Sequence, residues 1–154
     1  MMGFTVGLPE YGIHDKLMPD EIAGKMWRFV KPIFENMVWS GIDYVVEGEA
    51  ILPELIKKFS DDHPGSMEVC FVGFTDIDVG KKLKDIREHK LGKGDWLNQE
   101  DDGYIRQHIE NMVNYSRLIQ QGCEQHNLRY IDTSVDFLES IEEAINYLFR
   151  NRTP

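Results

Sequence analysis

The sequence predicts an α/β domain built on a parallel sheet, and two observations predict it. "DYVVEG" (43–48) and "MEVCFVGF" (67–74) are near-continuous apolar runs, the pattern of strands buried on both faces of a parallel sheet. These runs, and a third at "LRYIDTS" (128–134), alternate with longer segments at helical spacing, which implies right-handed crossovers between parallel strands. The expected strands are 43–48, 67–74 and 128–132, arranged in a three-layer domain.

The first helix is "MPDEIAGKMWRFVKPIFENMVWSG", where Ile22, Met26, Phe29, Ile33 and Met37 recur at helical spacing between Pro19 near the start and Gly41 just past the end. Pro32 lies inside it and removes a backbone donor, so a kink or a split is expected there. The strand at 43–48 then breaks off at Glu47 and Gly48, and "PELIKKF" reads as a short helix. A lone carboxylate at the carboxyl end of such a strand stands where open parallel sheets bind their ligands. "HPG" (63–65) is a turn leading to the second strand.

A helix over "DVGKKLKDIREH" carries Val79, Leu83 and Ile86 on one stripe, and "KLGKGDWLNQEDDG", with three glycines, reads as a surface loop. The longest helix is "YIRQHIENMVNYSRLIQQGCEQH", with Ile105, Ile109, Met112, Ser116, Ile119 and Cys123 on a shared face and Asn127 suited to its C-terminal turn. After the third strand, "VDFLESIEEAINYLF" forms an amphipathic helix through Phe137, Ile141, Ile145 and Leu148.

The 154 residues suit a single domain with a core of its own, and 42% hydrophobic content is enough to form one. Lys and Arg number 17 against 27 Asp and Glu, and the resulting charge of −10 opposes nucleic acid and anionic lipid as partners. Cys70 and Cys123 show no zinc spacing and read as core thiols of a reducing compartment. The N-terminus has no basic leader and no segment approaches 18 apolar residues, so a cytoplasmic location is expected. The five histidines show no metal spacing, and no GxSxG string marks a nucleophilic serine.

Taken in order, "YVVEGEAILP", "EVCFVGF", the basic helix with "GKGDW", "NYSRLI" and "RYIDTSVDF" resemble the small P-loop kinases of the zeta-toxin, 2-phosphoglycerate kinase and nucleoside-monophosphate kinase type. The resemblance spans roughly residues 20–150 and implies a phosphotransferase that uses ATP and Mg²⁺ on a small hydroxylated or phosphorylated substrate. It implies that Glu47 orients Mg²⁺ or the acceptor and that Arg117 reaches the phosphates. It further implies that Arg87, just before a lid over 90–102, and Lys93 within that lid neutralise the phosphoryl group, while Thr133 and Ser134 pass the adenine. Phosphoryl transfer needs positioning and concentrated positive charge, which the gathering of Arg87, Lys90, Lys93, Arg106 and Arg117 suits. A solvated charged face also accounts for those cations, a surface salt bridge for Arg117, and an N-cap of the last helix for Ser134.

The sequence departs from that family at its phosphate cradle, because it contains no GxxxxGK[ST]. "GKGDW" follows a helix and lacks Ser or Thr after the lysine. The expectation is therefore a P-loop-kinase-like domain without its first strand, phosphate loop and helix, N-terminally shortened and inactive in this form. The alternative is a non-catalytic binding or assembly module on the same fold, and a homodimer is compatible with either.

Overall fold

The structure, a computed structural model, describes residues 8–14, 17–88 and 96–150, with the backbone alone for residues 96 and 98. The chain divides into two compact units, Met1–Glu68 and Val69–Pro154.

The first unit is helical, with a short 3-10 turn at Pro9–Tyr11, α1 (Pro19–Ser40) and α2 (Pro53–Asp62). Proline opens both long helices at a position where the missing N–H costs nothing. The Glu21 carboxylate accepts the Met18 N–H at the start of α1, and Gly41 ends the helix with a left-handed φ of 66°. α1 runs unbroken through Pro32, so the expected split does not occur.

The inward stripe of α1 is also rotated from the one expected. Ala23 and Phe34 are buried while Ile33 is 54% exposed. The large rings decide this, because Trp27 and Phe34 both pack edge-to-face on Phe59 of α2, itself fully buried.

Residues 42–48 correct the first strand expected. They are irregular, belong to no ladder, and are exposed throughout, Val45 at 84%. A strand exists only through its pairing, and among the described residues no neighbouring strand pairs with this one.

In the second unit, β1 (Cys70–Gly73) and β2 (Arg129–Asp132) form a two-stranded parallel sheet in the register Cys70 to Arg129 and Gly73 to Asp132. The unit is thus mixed helix and strand, as an α/β chain requires. α3 (Val79–Glu88) packs on α4 (Asp102–His126) through Leu83, Ile105 and Ile109, flanked by Ile77, Val79, Ile86 and Leu97. α4 and α5 (Phe137–Phe149) each contact both strands.

α4 begins where the Asp101 carboxylate accepts the Tyr104 N–H at 2.9 Å and ends at Asn127 in the left-handed conformation, φ 53°. Its buried stripe includes Val113 rather than the expected Met112, which is 38% exposed although it fits the 3.6-residue period better. α5 differs most from expectation. It buries Ser140 and Ala144 and leaves Phe137, Leu138 and Ile145 exposed, because the Ser140 hydroxyl is held inward by the carbonyls of Asp132 and Asp136.

Candidate functional site at the carboxyl edge of the parallel pair

Two loops leave the carboxyl ends of β1 and β2, and α4 runs beside them. The Thr133 N–H and Oγ1 both donate to the Gly73 carbonyl, at 2.8 and 3.1 Å, which extends the pairing one residue beyond the ladder. Ser134 Oγ then accepts the N–H groups of Thr75 and Asp76, each at 3.0 Å. Asp132 completes the junction, one carboxylate oxygen accepting from Thr75 Oγ1 and the other from the Ser134 N–H at 2.8 Å. Burial works to raise the Asp132 pKa, but the hydrogen bonds from Ser134 and Thr75 outweigh it and hold the carboxyl below its ordinary value.

α4 contributes two neighbours from consecutive positions. Ser116 Oγ accepts the Phe74 N–H at 3.2 Å, and Arg117 donates through Nε to the Thr75 carbonyl at 3.0 Å. Arg117 is exposed, and its Nη groups have no partner among the described residues.

Beneath the loops lies a tight interior contact. A Cβ placed on Gly73 would be 2.6 Å from the Tyr130 hydroxyl and 2.8 Å from Ser116 Oγ, so any larger residue forces those side chains to shift. The Tyr130 hydroxyl is buried beside Ser116 Oγ, which works to lower its pKa, but the two do not meet in full hydrogen-bond geometry. Burial, reinforced by the Asp132 charge, pushes its pKa up to about 12, so it stays protonated. Cys123 is likewise pushed up to about 12, chiefly by burial, which makes it an inert core thiol at neutral pH.

The structure brings Arg117, Thr133 and Ser134 to this one junction. Arg87 is placed otherwise. Its guanidinium donates to the Asp102 carboxylate at 2.8 and 3.0 Å, and to the carbonyls of Glu100 and Leu97, so it ties α3 to the start of α4. Lys93 lies outside the described residues, as do 90–95 of the expected lid; Trp96–Gln99 forms a 3-10 turn. Glu47 is exposed in the irregular 42–48 segment of the first unit. Ser134 does not cap α5, because Asp136 does so by accepting the Glu139 N–H at 3.0 Å.

These donors do not fit the triphosphate of Mg-ATP. A phosphate loop presents free backbone N–H groups, whereas those of Phe74, Thr75 and Asp76 end on Ser116 and Ser134. Among the described residues no group of three or more His, Cys, Asp or Glu is placed to hold a metal ion. A small surface pocket lined by Trp27, Lys31, Leu55, Lys58, Phe59 and Asp62 lies in the first unit and includes none of the expected site residues.

Asp132, Ser116 and Gly73 were missed by sequence reasoning. The string "DTS" did carry a signal, since an acid followed by hydroxyl residues favours side-chain-to-backbone turns. Comparison of the chain with protein-family models, with curated proteins and with solved structures finds no match. No described helix is long and apolar enough to cross a membrane.

Proposed function

We infer that this chain is a P-loop-kinase-like phosphotransferase domain, directed at a small hydroxylated or phosphorylated substrate, whose own residues hold no triphosphate. Its finer architecture in this reading is the three-layer parallel sheet of that family without the first strand, phosphate loop and helix. It turns over no phosphate unless a cradle is supplied.

The observation that carries the reading is Arg117. It sits at the carboxyl edge of a parallel strand pair, anchored by Nε to the Thr75 carbonyl with its outer nitrogens turned to no described residue. A guanidinium held by one edge is pre-set for a phosphate on the other. A second reading, a non-catalytic binding module, is supported by Thr133 and Ser134, whose hydroxyls are already engaged in closing the two loops.

Titration with inorganic phosphate and with a small phosphomonoester, followed by amide chemical shifts, separates the two. The phosphotransferase reading expects millimolar binding, shifts confined to 73–76, 116–117 and 132–134, and loss of both on Arg117→Ala. Shifts that persist in Arg117→Ala, or that lie elsewhere, would overturn it.

A further inference from the structure

We propose that α5 is a self-association surface through which two copies of the chain pair, their α5 helices antiparallel about a twofold axis. This goes beyond the phosphotransferase reading and does not depend on it. The helix reads "FLESIEEAINYLF", and its apolar residues are palindromic about Glu143: Phe137 and Leu138, then Ile141, then Ile145, then Leu148 and Phe149.

Leu138, Ile141, Ile145 and Leu148 are spaced by three, four and three residues, the a and d positions of a two-heptad seam. This seam is not consumed by the described residues of its own unit. The sheet takes the small face of α5, Ser140 and Ala144, leaving Leu138 73%, Phe137 63% and Ile145 51% exposed, with Ile141 and Leu148 half-buried.

The palindrome selects a second copy as the occupant. An isologous contact requires that residue i meet j while j meets i. Antiparallel α5 helices satisfy this with side chains of equal size along the seam: Leu138 opposite Leu148 and Ile141 opposite Ile145. The area is also sufficient. With aromatic side chains at ~150–250 Å² each and aliphatic ones smaller, complete burial of this face and the fully exposed Val135 beside it removes at most roughly 600 Å² per copy, or about 1,200 Å² for the pair, the lower bound of specific interfaces.

An interface at that lower bound is a weak, reversible one, so its dissociation is looked for in the micromolar range. Glu142 flanks the seam near the axis, so the pair brings two Glu142 carboxylates towards each other and the dimer tightens when that charge is removed.

Sedimentation equilibrium of the full chain between 1 and 200 µM, at roughly 0.15 M salt, is the test. The proposal expects a monomer–dimer equilibrium, weakened at least tenfold by Ile145→Glu with an unchanged far-ultraviolet dichroism spectrum. Should Ile145→Glu fail to fold, the surface variant Glu142→Gln still decides, with a dissociation constant lowered about threefold. Orientation is read from oxidative cross-linking against the unsubstituted chain as control. Leu138→Cys mixed with Leu148→Cys cross-links, and Leu138→Cys alone does not. A monomer throughout the range, no tightening in Glu142→Gln, or self-cross-linking of Leu138→Cys each overturns the antiparallel pair.

Discussion

A methyl group added at Gly73 would press on two side chains at once, Tyr130 and Ser116. Gly73→Ala should therefore cost about 1–3 kcal/mol, the usual cost of overpacking, read as a lower midpoint in urea. Tyr130→Phe removes the nearer of the two atoms together with a buried hydroxyl that makes no well-formed hydrogen bond, so alone it should change stability by less than about 0.5 kcal/mol. Added to Gly73→Ala it should restore part of the loss. A larger loss from Tyr130→Phe alone would show that the hydroxyl is bonded after all. Asp132 makes a pH-dependent prediction. Its folded pKa is lowered, so its contribution is present above the ordinary carboxylate value and is lost as pH falls through the folded one. The gap in urea midpoint between the parent chain and Asp132→Asn should be full at about pH 6 and shrink below about pH 4. A gap constant across that range would contradict the assignment. At this scale the sequence pointed to Arg117 and Ser134, which the structure brings to one junction, whereas Gly73 and Ser116 meet through a contact 43 positions apart (116 − 73), which no local pattern encodes.

Helices were legible because their signals are local. Pro19 and Gly41 bound α1, and Asn127 closes α4 in the left-handed conformation that asparagine tolerates. Asn127→Gly should accordingly stay within a few tenths of a kcal/mol, while Asn127→Val should cost about 1–2 kcal/mol, as thermal unfolding can measure. Equal stability of the two variants would exclude a left-handed residue at 127. Which face of each helix turns inward was less legible. Trp27 and Phe34 rotate α1 towards Phe59, and the Ser140 hydroxyl turns the small side of α5 to the sheet. Periodicity finds an apolar stripe but not what lies opposite it. The strands expected at 67–74 and 128–132 form over the shorter 70–73 and 129–132, yet the same pattern at 43–48 yields no strand, because pairing is a property of two segments and hydropathy of one.

For the whole molecule, an acidic chain of net charge −10 has to concentrate cations locally to hold a polyphosphate. At the carboxyl edge of β1 and β2 it presents Arg117, but the backbone donors of the 74–76 turn are already engaged. A phosphate cradle supplies several such donors and a lysine, each charge-assisted bond worth roughly 1.5–3 kcal/mol, so lacking three weakens binding by on the order of 10³-fold or more. The measurement that tests this most directly is calorimetric titration of the full chain with Mg-ATP. Binding no tighter than about millimolar, unchanged by Lys93→Ala, is the expected result. Micromolar binding that Lys93→Ala abolishes would contradict it, and would assign the cradle's role to the "GKGDW" string.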